Sequence, residues 1–404
     1  MRVMPPQGSS SAPIRNNREH YMKTILLILV IILVSCGSGD EATSTTIADQ
    51  GTGQATTETE GSVTTVGSAS PTAATSTTTG GGESDLTLTL IAHDSFADAA
   101  GEVFAPFTEE TGISVEILAG GDAGSLTNQL VLTADNPIAD VMFGIDDTFL
   151  TRALDEEILL PYESPLLSDV PDELELDEER RATPIDYGDV CFNYDIAALE
   201  EAGVEPPTDL EQLTQEPYQD LVVVESAATS SPGLAFLLAT IAEFGEDGWQ
   251  EYWQGLVDNG VEVAADWDAA YYSSFTRYGG ERPIVMSYAS SPPAEVIFAE
   301  EPLETAPTAV VTNGCYRQIE FAGILAGTDH EAEAGKLIDF MLSPGFQKEI
   351  PLTWFVFPAN ETVELPQEFV EFTDVPDSPA RIPIEEIAAN RELWIREWNA
   401  IVDG

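Results

Sequence analysis

Leu86–Ile91 reads LTLTLI, Ile113–Leu118 reads ISVEIL and Ala139–Gly144 reads ADVMFG. The first two alternate apolar and polar side chains, as a strand with one buried face does, and the third is apolar enough to be a fully buried strand. Between them, Ala99–Thr111 sets Val103, Phe104 and Phe107 on one side and stops at Gly112. Leu126–Ala134 follows a Gly-rich loop, so both intervening segments read as helices. Strand–helix–strand–helix–strand implies a parallel sheet with helices on both faces, an α/β fold. Ligands on such sheets gather at the carboxyl ends of the strands. The loops at those ends are His93-Asp94-Ser95, Gly120–Ser125 and Ile145–Thr148.

The same texture continues downstream. Val190–Tyr194 (VCFNY), Leu221–Val224 (LVVV) and Ile284–Tyr288 (IVMSY) read as strands. Ala332–Leu342 and Glu385–Ile401 carry apolar residues at helical spacing, the second behind Pro383, a favoured first-turn residue. No internal repeat is present.

Upstream the chemistry differs. Gly37–Ser84 holds 30 Ser, Thr or Gly among 48 residues, with no aromatic, Lys or Arg, and cannot bury enough apolar surface to offset its ordering entropy. It reads as a tether spanning roughly 40 Å root-mean-square. Before it, Thr24–Val34 is TILLILVIILV behind Lys23. Eleven apolar residues fall short of the ~20 that cross a bilayer but suit a secretory signal. The run ends in Leu33-Val34-Ser35-Cys36, which resembles the bacterial lipobox, where the cysteine thiol receives a diacylglycerol. The expected layout is therefore a signal peptide over 1–35 and a lipidated Cys36 with its linker over 36–84. An ordinary signal peptide with a coincidental cysteine is the alternative, and Met22 is an alternative start.

Across 404 residues, 15 Lys and Arg face 71 Asp and Glu, a net charge of −56. Cleavage before Cys36 removes four of those bases and one acid, leaving −59. That excludes nucleic acid, whose phosphates need clustered bases, and a basic membrane-docking face. The acidity is either a solubility habit or a long-range attraction for a cationic ligand. Three cysteines exclude a disulfide scaffold, and the length fits two domains.

Nine pieces in order then resemble the thiamine-binding branch of ABC-transporter solute-binding proteins. They are HDSF (His93–Phe96), GDAGSLTNQL (Gly121–Leu130), ADVMFGIDD (Ala139–Asp147), PIDYGDVCFNYD (Pro184–Asp195), TSSPGLAFLL (Thr229–Leu238), DWDAAY (Asp266–Tyr271), VMSYASSP (Val285–Pro292), LSPGFQKEIP (Leu342–Pro351) and RELWIREW (Arg391–Trp398). The resemblance implies a two-lobed, type II periplasmic-binding-protein-like fold with the ligand cleft between lobes and two hinge crossings. One lobe would comprise 86–187 plus about 315–350, the other 188–312 plus about 351–404. The hinge would lie near Asp186–Asp189 and Val311–Tyr316, which brings Cys191 and Cys315 onto neighbouring strands; outside the membrane they would pair, or else stay as two separately buried thiols. The implied role is a lipoprotein at the outer face of the cytoplasmic membrane. It would capture thiamine or a thiamine phosphate for an ABC permease and its ATPase, as a monomer without cofactor or resident metal.

Thiamine joins an aminopyrimidine to a cationic thiazolium with a hydroxyethyl arm, so its site needs aromatic walls, a carboxylate and donors for the arm. Ser230-Ser231 opens a helix read over Leu234–Ile241, and Asp122-Ala123-Gly124-Ser125 opens another. Unpaired N–H groups at both starts would receive the arm or its phosphate, although each is also a plain N-cap. Trp267 and Tyr271, four apart, fall where the family stacks a tryptophan, or else pack in the core. Tyr288 matches a pocket-edge tyrosine, and Asp146 would face the cation or cap a loop. Three positions depart from the family pattern. His93, beside Asp94, replaces a tyrosine; Ala294 replaces another; and Phe355 stands at a tryptophan position, with Trp354 adjacent.

Rival readings are a receptor for another small cation or a metal, such as a polyamine or ferric iron, and a hydrolase. Tyr271-Tyr272 is a tyrosine pair of the ferric type, but it lies away from the family's position near Tyr288. The mature chain holds only His93 and His330 and no GxSxG turn, which leaves little for a nucleophilic enzyme.

Overall fold

The computed structural model describes residues 86–299 and 301–404. The signal segment, Cys36 and the tether lie outside the described residues. The strands are β1 (Thr87–Ala92), β2 (Ser114–Ala119), β3 (Val141–Asp146), β4 (Leu159–Leu160), β5 (Thr183–Asp195), β6 (Val222–Glu225), β7 (Glu262–Ala264), β8 (Ile284–Tyr288), β9 (Thr308–Leu325) and β10 (Phe357–Pro358). They form one ten-stranded sheet in the order β2-β1-β3-β9-β5-β8-β6-β7, with β10 against β5 and β4 against β9.

Two parallel sets sit at its ends. β1 pairs in parallel with both β2 and β3, and β6 with both β7 and β8. The long antiparallel strands β5 and β9 join the sets, running from Thr183 opposite Ala322 to Asp195 opposite Thr308. The end of β9 pairs with β3, and the end of β5 with β8. β5 and β9 are thus the two crossings of a two-lobed fold. Their register slips between Val190 and Phe192, and there Cys191 and Cys315 form a disulfide. Next to it, Arg317 clamps buried Asp189 with two hydrogen bonds of 2.8 Å and lies 4.8 Å over the Tyr187 ring.

Local sequence explains most boundaries. All six residues of β3 are buried, as suits a parallel strand covered on both faces. Ser231–Phe244 is a helix buried from Ser231 through Ile241, hydrophobic all round. Trp249–Asp258 buries Trp249, Tyr252, Trp253 and Leu256, one stripe at helical spacing. The single helix expected over Ala99–Thr111 is instead two, Asp94–Ala99 and Ala105–Thr111. Gly101 at φ +48° turns the chain between them, and Pro106, which cannot donate within a helix, fits only the first turn of the second.

Each lobe has an aromatic core. Phe96 packs on Phe143 and Phe104 in the first, and Phe236 on Phe192 and Trp253 in the second. The helix Ile384–Val402 seals the second core, its Trp398 meeting Trp253 edge to face at 5.5 Å.

Candidate functional site

β1, β2 and β3 end at Ala92, Ala119 and Asp146; β6, β7 and β8 end at Glu225, Ala264 and Tyr288. The residues that follow these ends carry the polar chemistry. His93 caps the helix Asp94–Ala99, its Nδ1 accepting from the Phe96 N–H at 3.4 Å. Asp94 accepts from the Gly121 N–H at 2.8 Å and so ties the first two loops together. Asp122 caps the helix Ala123–Leu132 through the N–H of buried Ala123 at 2.9 Å, with Ser125 exposed in its first turn. Gly144 sits at the bulge of β3 with φ +90°, and a Cβ there would meet the His93 ring at 2.1 Å. Only glycine lets the ring lie where it does.

A buried polar chain crosses the hinge. The Tyr288 hydroxyl donates to Gln318 at 2.9 Å, and the Gln318 amide donates to Asp146 at 2.9 Å. Asp146 also accepts from the Thr148 hydroxyl at 2.6 Å. The Tyr316 hydroxyl donates to Asp147 at 2.8 Å. His93 Nε2 lies 3.5 Å from Glu320, which is the cross-strand partner of Asp186.

Burial pushes Asp122 and Asp146 up to about 6, against the hydrogen bonds each accepts. Burial and the neighbouring charge of Asp146 push Asp147 to about 7. Asp186 is held well above the carboxylate range by burial, then by Glu320. Burial works against ionised Glu320, yet the charge of His93 and bonds from His93 and Asp186 prevail and lower it. Burial likewise opposes a charge on His93, and Glu320, Asp122 and Asp146 overcome it and raise it. The result is a carboxylic acid, a carboxylate and an imidazolium in one row.

From the other lobe, half-buried Trp267 donates its indole N–H to Ser287 at 3.0 Å and stacks on Tyr271 at 4.8 Å and 15°. Tyr271 is buried behind it, its hydroxyl 2.8 Å from Glu295, which also accepts from Tyr278. Tyr271 therefore backs the wall that Trp267 presents. The hydroxyls of Ser230 and Ser231 are buried with no hydrogen bond. Ser231 nevertheless lies near enough to Asp146, in the opposite lobe, to temper its shift.

The two aromatics after the helix Ile350–Thr353 part ways. Trp354 stacks on Phe96 at 4.5 Å and 13°, within the first core. Phe355, at φ +59°, turns to meet Phe298 edge to face at 4.9 Å, its carbonyl accepting from the Ser290 hydroxyl.

Thus His93, Asp122, Asp146, Ser231 and Tyr288 converge. Tyr288 feels the charges of Glu320, Asp146, Asp122 and Glu225 together. Tyr271 and Trp354 stand behind this surface. Sequence reasoning passed over Glu225, Gln318 and Glu320. Glu225 had a signal: it closes the apolar run LVVV just ahead of the Ser230-Ser231 helix start.

Residues 136–378 match the family described as bacterial extracellular solute-binding protein. The thiamine-binding periplasmic protein of Brucella suis is 31% identical over 319 residues, 78% of this chain and 91% of that protein. A solved structure titled periplasmic thiamin binding protein superposes with a TM-score of 0.69 at 28% identity, covering 78% of this chain and 96% of that one. The ferric binding protein of Campylobacter jejuni gives 0.64 at 22% identity, covering 78% and 99%, a likeness of fold alone. With its paired parallel sheets, two crossing strands and polar loops facing one cleft, the chain belongs to the bacterial extracellular solute-binding protein family.

Proposed function

We propose that the protein captures thiamine or a thiamine phosphate between its lobes and delivers it to the permease and ATPase of an ABC importer. The observation that carries this reading is the set of buried, unpartnered polar atoms at the strand ends, the hydroxyls of Ser230 and Ser231 and both carboxyl oxygens of Glu225, beside the Trp267 and Tyr288 rings. A buried donor or acceptor without a partner costs about 1–3 kcal/mol, so a ligand that satisfies several gains that much from each. The cleft carboxyls would balance the thiazolium, and Trp267, Tyr288 and Phe355 would wall the rings. The comparisons support the ligand through relatives named for thiamine. The hydroxyl of Tyr271 is held by Glu295, which counts against an iron-binding tyrosine pair there.

In this reading the lobes are 86–187 with about 315–350, and 188–312 with about 351–404. The protein acts as a monomer without cofactor or catalysis, held outside the cytoplasmic membrane by a lipid on Cys36. No helix among the described residues is long and apolar enough to cross a membrane. Calorimetric titration tests the ligand: saturable micromolar or tighter binding of thiamine or an ester is expected. No heat with thiamine, its monophosphate or its diphosphate at high micromolar concentration refutes it.

A further inference from the structure

Glu225 is the last residue of β6 and wholly buried, and neither carboxyl oxygen has a hydrogen bond. It lies just before the 14-residue helix that starts with the unpartnered hydroxyls of Ser230 and Ser231. Such a helix start alone favours an anion. Here an acid is already built beside it. Asp122, at the helix start of the opposite lobe, and Asp266, in the loop after β7, both act electrostatically on Glu225. Asp268 feels Asp266 in turn, and Tyr288 adds a hydroxyl from β8.

No Lys or Arg among the described residues makes an ion pair with these acids. Arg317 is held by Asp189, Arg277 by Glu295 and Arg282 by Glu262, and Arg391 lies against the Thr148 carbonyl and Glu392. His93, the one cation in the chain of cleft groups, is engaged by Glu320. A phosphate carries about −1.5 to −2 charges near neutral pH and is held elsewhere by arginine or lysine. Here it would meet three carboxyl groups and no such base. Burial keeps Glu225 well above the usual carboxylate range in the empty cleft, and a neutral carboxyl lends a phosphate one O–H without positive charge. A hydroxyl or amine, in contrast, donates directly to the vacant oxygens.

We propose that the cleft takes an organic cation whose far end bears no phosphate, with Glu225, Asp122 and Asp266 excluding anionic esters. This rests on the ligand reading above and narrows it to thiamine itself. The test is calorimetric titration of the full chain in detergent with thiamine and with thiamine monophosphate at pH 7.5, for the unmodified protein, Glu225→Gln and Asp266→Asn. Asp266 is exposed and its cap to the Ala269 N–H survives in asparagine, so that variant guards against misfolding of the first.

The expected preference for thiamine is about tenfold or more, about 1.4 kcal/mol. Each variant should narrow it by about threefold, chiefly through tighter ester binding. An ester that binds the unmodified protein as well as thiamine overturns the proposal, as does a ratio unchanged in both variants. If thiamine itself fails to bind, the ligand reading has failed and this proposal falls with it; a wrong ratio with thiamine bound removes this proposal alone.

Discussion

Replacing Trp267 with alanine isolates the wall of the cleft. The indole is held by a 3.0 Å hydrogen bond to Ser287 and by the Tyr271 ring stacked behind it at 4.8 Å. Its orientation is therefore set before ligand arrives, and little ordering entropy remains to be lost on binding. A ring stacked on it gains about 0.5–1.5 kcal/mol beyond area burial. A cation over it adds about 0.5–2 kcal/mol. A loss near 2 kcal/mol, about thirtyfold in affinity for thiamine, follows at the middle of these ranges. Trp267→Phe keeps an aromatic face and loses only the Ser287 bond, so it should recover most of the loss. Calorimetry at 25 °C measures both, with a ligand-free thermal melt as the control for folding. Alanine binding within threefold of the parent, with an unchanged melt, would show that Trp267 does not contact the ligand.

The raised carboxyls set a pH trend. Asp122 and Asp146 titrate near 6 and Asp147 near 7 in the folded state, against about 3.9 unfolded. Their contribution is complete below about pH 4 and is lost as pH rises through 6–7. His93, also raised, has the same sign, while Glu320, lowered, acts only in stronger acid. The ligand-free protein should melt several degrees higher at pH 5 than at pH 8; scanning fluorimetry showing a flat or reversed trend contradicts this. Removing the Cys191–Cys315 bridge, which closes a separation of 124 residues, should cost about 4–5 kcal/mol in denaturant titration. Thiol labelling of unfolded, unreduced ectodomain should find no free cysteine. Cys36→Ser should release the protein from membranes, and a variant that stays membrane-bound would disprove the anchor.

The parallel strands were legible because their alternation and apolar runs are local properties. LTLTLI and IVMSY name β1 and β8 within a residue of their ends. The crossing strands were not legible as single elements. Pro184, Gly188 and the acids Asp186 and Asp189 make β5 read like an exposed loop, yet both acids are buried because Glu320 and Arg317 meet them across the sheet. The helix starts and Trp267 were found from the sequence. Glu225 and Glu320 were not, since a carboxyl within a strand resembles a solvent-facing residue until its neighbours on other strands are known.

The route of the chain has a further consequence, for the order of assembly. β1, β2 and β3 are made first, but the free edge of β3 is covered only by residues 320–324 of β9. β5 likewise finds its main partner 124 residues later in the chain. Until residue 308 and beyond emerge, β3 remains a bare edge of buried-type residues and the first lobe cannot close. Contacts of such long sequence separation slow folding. The lobe that begins the chain is therefore among the last parts to finish, and the growing polypeptide stays open over most of its length, a state suited to passage through a narrow channel.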